Sequence, residues 1–351
     1  MCGRFVREFG QPKMRPLPVL ILVASLASST ALADDGAASI AAGGIVMTCE
    51  PRITMAKEVL TISESKVIVD YDFRNDTDAD ISTEIAFPIP DYSLEMEDRR
   101  PSEQGFDNFK LWVDQKPVHY AIEAKAMLKG QDYSALLRSM GVDVASYGHS
   151  IDNDTQPQID RLSKAQKERL AKVGLIDHVN GEYGSPNWKV RKKYYWSQTF
   201  PAHSIVHIRH EYTPDLGNSN TVGLGTTPKE DSVEARSVCI DPGLRNTVSK
   251  YLAVQDNESS IFYVDFILTT ANTWKTPIED FTLVVERPHP QFQQAGRKLK
   301  GESYVSFCWN GPVMKTDADH FSAHLTNFVP SKELRIGFIN LDSGWANGEP
   351  Y

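Results

Sequence analysis

The chain is poor in cysteine: four stand among 351 residues, at positions 2, 49, 239 and 308, and no two form a C-x-x-C pair. That spacing excludes a thioredoxin-like dithiol and a zinc knuckle, both of which need neighbouring thiolates. There is no G-x-S-x-G, no H-E-x-x-H and no glycine-rich phosphate loop. The common local routes to a strained nucleophile, a zinc protease or a nucleotide site are therefore missing, and no pattern asks for a cofactor. No apolar run reaches the roughly 20 residues that cross a bilayer as a helix. Basic residues are in the minority, 37 Lys and Arg against 46 Asp and Glu, which argues against nucleic acid or an anionic lipid surface as partner. Internal repeats and low-complexity tracts are absent as well.

What is present begins with a leader. Lys13 and Arg15 precede the apolar run Leu17 to Ala27, and small residues follow up to Ala31-Leu32-Ala33. This order reads as a secretory signal peptide over residues 1–33, cut before Asp34, with translation starting at Met14. Pro18, Ser25 and Ser28 interrupt the run, which is too short for an anchor. The opening MCGRF resembles the start of the SOS-response-associated peptidase family, in which a cysteine after the initiator methionine attacks abasic DNA. That family's later Asn, Glu and His segments have no counterpart here, so the nucleophile would lack its partners. Losing the leader removes Arg4, Arg7, Lys13 and Arg15 against Glu8, taking the formal charge from −9 to −12. The expected product is an acidic protein of the periplasm or the medium. In that oxidising setting Cys239 and Cys308, both in strand-like segments, are expected to pair, which leaves Cys49 as a free thiol.

From Ser65 the residues alternate. Val67, Val69, Tyr71 and Phe73 share one face, and Lys66, Asp70, Asp72 and Arg74 share the other, the period of a half-buried strand. The segment NDTDAD makes a turn, and Ile81, Thr83, Ile85, Phe87 and Ile89 form the inner face of the return strand. Pro88 and Pro90 delete two donors on one side of it, so this strand is an edge or leaves its sheet there. Further strands are read at Asn108 to Tyr120, with VDQKP as a turn, at Lys189 to Phe200, and at Ser204 to Tyr212. In the last, Val206, Ile208, His210 and Tyr212 share the buried face.

These strands place an N-terminal β-sandwich domain at 34–220, with a helical insertion over about 123–180. Within the insertion a helix is expected around Tyr133 to Met140. Ser163 and Gln166 form a capping box for a second helix, closed by Gly174. The stretch 147–157 reads as loop. A boundary is expected within Asp215 to Asp231, followed by a C-terminal β domain at 230–341 and a tail at 342–351. There Asp241 caps a short helix that has Pro242 at its first position and Leu244, Val248, Tyr251 and Leu252 as its stripe. Strands follow at Ile261 to Thr270, Asp280 to Glu286, Ser303 to Trp309, His320 to Asn327 and Glu333 to Ile339. The fold class is mainly β, a sandwich architecture in two sandwich-like halves.

The segments AAGGIVMT (41–48), YDFRNDTDADISTEIAFPIPD (71–91), YYWSQTFPAHSIVHIRHEY (194–212) and TTANTWKTPIEDFTLVV (269–285) resemble a bacterial exported family known as domain of unknown function 4424. The resemblance covers nearly all of the mature chain and carries no catalytic residues with it. The order of YDFRN, AFPIPD, FKLWVDQKPV and FPAHSIVHIRHEY is also similar to the vault-protein and inter-alpha-trypsin domain. That likeness implies a β-sandwich used in protein interactions.

Three clusters could carry chemistry. His207 and His210 face opposite ways on a strand, and His203 lies about 13 Å from His207 at roughly 3.3 Å per residue, so these three do not share a metal. Asp76, Asp78 and Asp80 resemble the start of a calcium loop, but Ile81 holds the glycine position and Phe87 that of the bidentate glutamate. The segment WKVRKKYYW supplies the candidate binding surface: Trp188, Lys189, Arg191, Lys193 and Tyr195. It suits an anionic glycan, a phosphate group or an acidic partner. The competing account is a solvated strand whose cations balance nearby carboxylates. The expected function is that of a non-catalytic envelope protein that binds another envelope protein or a glycan through sheet edges or this strand. The alternative is an envelope hydrolase with a site between the two halves, using His149, His178 or carboxylates of the insertion.

Overall fold

The alternation read from Val67 onward becomes the wall of the molecule. A computed structural model describes residues 36–41, 44–92, 108–145, 155–179, 181–214, 216–219, 236–253, 258–289, 291–294, 297–300 and 302–342. The leader, His149, most of the predicted boundary and the tail after residue 342 lie outside the described residues. In chain order the first strands are β1 (Gly36–Ala41), β2 (Gly44–Met47), β3 (Ile53–Ile62), β4 (Val67–Asn75), β5 (Ile81–Pro88), β6 (Lys110–Val113), β7 (Lys116–Pro117), β8 (Ala121–Leu128), β9 (Gln131–Asp132), β10 (Ile176–Val179) and β11 (Glu182–Pro186). Then come β12 (Lys189–Phe200), β13 (Ser204–Tyr212), β14 (Gly217–Ser219), β15 (Glu258–Phe266), β16 (Ile278–Glu286), β17 (Gln291–Gln294), β18 (Arg297–Lys300), β19 (Glu302–Phe307), β20 (Met314–Lys315), β21 (His320–Phe328) and β22 (Leu334–Asp342). The helices are α1 (Ser134–Ser139), α2 (Thr155–Asp160), α3 (Lys164–Lys172) and α4 (Pro242–Leu252).

The fold is mainly β. Three sheets carry the core: an eight-stranded sheet in the order β20-β21-β16-β3-β4-β13-β6-β7, a six-stranded sheet β2-β1-β5-β12-β8-β9, and a four-stranded sheet β14-β15-β22-β19. Inner-face aromatics meet across the gap between sheets. Phe73 of β4 packs on Phe200 of β12 at 5.8 Å between ring centroids, and Phe87 of β5 packs on Tyr212 of β13 at 5.6 Å. One contiguous core takes Tyr71 and Phe281 from the first sheet, Phe87 and Tyr194 from the second, and Phe266 and Phe338 from the third. The other face of the four-stranded sheet buries Ile261, Tyr263, Ile339 and Leu341 against Val238 and, from α4, Val248. A Cβ on Gly337 would stand 3.1–3.3 Å from the Val238 side chain, so the bare Cα lets this layer close.

The segments on either side of the predicted boundary share one sheet. β16 pairs in parallel with β3, from Asp280 opposite Lys57 to Val285 opposite Ile62. Arg74 of β4 then reaches Glu279 of β16 with both terminal nitrogens at 2.8 Å. The predicted insertion begins with strand rather than helix, because β8 extends to Leu128 beside β12. Its helices follow their local signals: Ser163 and Gln166 form the capping box of α3, and Gly174 closes it at φ +78°. Asp241 accepts from the backbone N–H groups of Gly243 and Leu244 at 2.7 and 3.0 Å and so caps α4.

The proline strand has a one-sided break. β1 pairs with β5 only through Ala86, whereas β12 continues past it, with Ile89 donating to Lys192 O at 3.1 Å. The missing donors of Pro88 and Pro90 therefore lie on the side away from β12, where no described strand pairs with them. Beyond β4, the aspartates of the turn are engaged in docking rather than in a cation loop. Asp78 meets His203 Nε2 at 2.8 Å, and Asp80 accepts from the Ala202 N–H at 2.9 Å. Asn75, fully buried, ties the same corner by donating to Ala79 O and Phe200 O, both at 2.9 Å.

Cys239 and Cys308 form a disulfide, with Cα atoms 5.0 Å apart. Cys49 is disulfide-bonded too, which corrects the expectation of a free thiol; the odd count behind that expectation rested on removing Cys2 with the leader. Replacing Cys239 and Cys308 together by serine should cost about 4 kcal/mol in the chain-entropy account of a loop closed across a separation of 69 residues. An unchanged denaturation midpoint would show that the layer around Val238 does not rely on the bridge. Asn75→Ala should cost about 1–3 kcal/mol by removing the side-chain donor to the buried Phe200 carbonyl, again read as a shifted midpoint.

Candidate ligand-binding site

β4 reads D-x-D where β13 reads H-x-R, and antiparallel pairing sets them against each other. His207 lies opposite Asp72, and Arg209 opposite Asp70. All four project from the outer face of the eight-stranded sheet, because Tyr71, Ile208 and His210 take the inner one. Arg209 Nη1 donates to both Asp70 oxygens, at 2.9 and 2.7 Å. His207 Nδ1 stands 2.5 Å from Asp72 Oδ1. An ionised carboxylate can only accept, so Nδ1 carries the proton and Nε2 is the acceptor in neutral imidazole. These pairs are too exposed to contribute much stability. Their effect is to hold the planar groups in fixed orientations.

β6 supplies the aromatic wall, with Trp112 next to Arg209 across the ladder. Beyond it the chain turns at Asp114 and Gln115, both left-handed at φ 46° and 65°, as a two-residue hairpin turn requires. Asp114 fixes this turn to β13: its N–H donates to His207 O at 2.8 Å, and its Oδ1 accepts from the His207 N–H at 3.0 Å. The result is a concavity of about 350 Å³ lined by Asp70, Asp72, Trp112, Gln115, His207 and Arg209, with Tyr71 and Ile208 at its floor. No serine, threonine or cysteine lines it. Among the described residues no group of three or more His, Cys, Asp or Glu side chains is placed to hold a metal. Chemically, the pocket offers hydrogen-bond acceptors and donors around an indole.

The other residues singled out from sequence are dispersed. His210 is fully buried within 4.9–5.5 Å of the rings of Phe87, Phe109, Trp196 and Tyr71, three residues from exposed His207. His203 belongs to the turn corner, and His178 stacks on Tyr183 at 4.5 Å. Side chains of β12 alternate between an inner and an outer face, and Trp188 is a correction to the candidate surface: it is fully buried, as are Val190 and Tyr194 of the inner face. Lys189 is exposed. Arg191 donates twice to Asp91, at 3.0 and 2.8 Å, and Lys193 lies 3.8 Å from Glu123, which also faces Lys125 at 3.7 Å. Tyr195 is half-buried against Ala38 and Ala86.

Burial pushes the Lys193 ammonium below its ordinary pKa, with Lys125 and Arg191 adding to the effect and Glu123 opposing it. Glu123→Gln should therefore lower the Lys193 pKa further, measured by side-chain NMR titration. A rise on that substitution would overturn this account of the charge cluster.

Of the pocket residues, Asp70 and Asp72 belong to the polar face read from the alternation after Ser65, and His207 to the side opposite His210; Trp112, Gln115 and Arg209 carry no such sequence signal. The D-x-D of β4 and the H-x-R of β13 are complementary, but complementarity alone does not select this pairing over others.

No curated protein matches the chain in sequence. Among solved structures, a Legionella pneumophila protein provisionally described as nutrient binding is similar at 14% identity with a TM-score of 0.43, over 83% of this chain and 68% of that one. An M1 zinc metallopeptidase of Deinococcus radiodurans is similar at 9% identity with a TM-score of 0.24, over 83% of this chain. This chain spans less than half of the peptidase, 43% of its length. The sequence model of the family described as domain of unknown function DUF4424 matches residues 33–336, and the chain belongs to that family.

Proposed function

We propose that this chain is an exported binding protein of the periplasm or the medium, and that the pocket between Trp112 and the Asp72–His207 pair holds a small polar ligand. The observation that carries this reading is an indole beside Asp70, Asp72, His207 and Arg209, each already oriented by a partner, in a concave site lined by no serine, threonine or cysteine. Its volume is at the small end of ligand sites. Export is supported by the leader pattern and by the Cys239–Cys308 disulfide, a bond that persists in oxidising compartments.

The outer face of β12 supplies a second reading, contact with an acidic envelope protein or glycan. It is favoured by the exposure of Lys189 on the same face as Arg191 and Lys193. Lys189→Glu with unchanged capture from envelope extract removes that surface.

For the pocket, a library of small envelope solutes should contain a ligand that raises the melting temperature of the wild-type chain. At a hundred times its dissociation constant it should stabilise by about 2.7 kcal/mol, and Trp112→Ala should abolish the shift. A shift that survives Trp112→Ala would place binding elsewhere. Disappearance of the ligand during incubation, followed by NMR, would favour the hydrolase alternative.

A further inference from the structure

The geometry points to an uncharged saccharide as the ligand class of the Trp112 pocket, an inference that rests on the binding reading above. The charges facing the pocket decide it by elimination. Asp70 and Asp72 line it, and Asp114 adjoins it through the His207 backbone. Against them stand Arg209 and His207. Arg209 already donates to both oxygens of Asp70 and has Glu211 3.9 Å from its other terminal nitrogen. A phosphate or carboxylate would have to draw Arg209 away from two carboxylates.

A ligand ammonium meets the converse obstacle. Asp70 is held by Arg209 and Asp72 by His207, so a new cation would compete with a donor already bound to each carboxylate. A hydroxyl needs neither rupture. Each carboxylate keeps lone pairs beyond those its partner uses, Arg209 keeps N–H donors, and Gln115 offers both an acceptor and donors. A sugar ring presents hydroxyls at its rim and a face of C–H groups. The hydroxyls suit this set of fixed planar groups, and the C–H face suits the indole of Trp112. The turn at Asp114 and Gln115 and the two hydrogen-bonded pairs, Arg209 with Asp70 and His207 with Asp72, hold these groups before the ligand arrives, which cuts the ordering cost of binding.

The test is calorimetry on the full mature chain with three groups of probes. The first is neutral sugars: glucose, galactose, mannose, N-acetylglucosamine and disaccharides of these. The second is their charged counterparts, glucose 6-phosphate and glucuronate. The third is the amino acids alanine and glutamate. The expected result is binding of at least one neutral sugar, at least about tenfold weaker binding of its charged counterpart, and retention in Trp112→Phe. Trp112→Ala should lose at least about 30-fold, the scale of a buried aromatic anchor. Asp72→Asn, which keeps shape while releasing His207, provides a second variant that leaves the core untouched, and it should also weaken the sugar. Circular dichroism of each variant checks the fold. A charged solute or amino acid bound in place of sugars, and lost in Trp112→Ala, would overturn the saccharide class while leaving the binding reading intact. Sugar binding indifferent to both variants, or no sugar bound at millimolar concentration, would overturn the inference outright.

Discussion

The parallel pairing of β3 with β16 is the constraint on which the rest of the molecule depends. β3 has an antiparallel neighbour, β4, on one side, and on the other it accepts a strand more than two hundred positions later in the chain. Without that ladder the antiparallel β16–β21 pair would end in an open edge, with its donors and acceptors unpaired. With it, Phe281, Leu283 and Val285 line the same inner wall as Leu60 and Tyr71. Trp274, just before β16, then packs on Phe73 with ring centroids 4.6 Å apart. The core is continuous because the hydrogen bonding is continuous.

The same strands that build this wall carry the pocket on their reverse side. Successive residues of β4 and β13 alternate between a dry inner face and a wet outer one, so Tyr71 and His210 enter the core while Asp70, Asp72, His207 and Arg209 leave it. A site mounted on paired central strands inherits their rigidity. The contrast between His207 and His210 shows how far position decides chemistry. One imidazole is exposed and oriented by a carboxylate. The other sits among four aromatic rings.

The six-stranded and four-stranded sheets close the sandwich, and their borders are finished by covalent and steric devices. Pro88 and Pro90 stop pairing on one side of β5 without loosening its other side from β12. The Cys239–Cys308 bridge and the close approach of Val238 to Gly337 hold α4 and its preceding turn over the outer face of the four-stranded sheet. On β12 the outward cations stand beside carboxylates from neighbouring segments. That strand therefore carries a locally balanced charge pattern rather than a bare basic stripe.

Features set by neighbours in the chain were legible in the sequence itself: the period-two strands, the Asn-Asp turn, the α3 and α4 caps, the one-sided proline break and the Cys239–Cys308 pair. Each depends on a side chain acting within a few residues of its own backbone, or on a residue type with few options. Only the tertiary structure decided which strands lie side by side. Register between β4, β13 and β6 joins Trp112, Asp70, Asp72 and Arg209, and no local pattern states it, because pairing is a contest among distant segments for the same edge. For the same reason the buried side of Trp188, the carboxylate partners of Arg191 and Lys193 and the bonded state of Cys49 emerged only when the chain was folded.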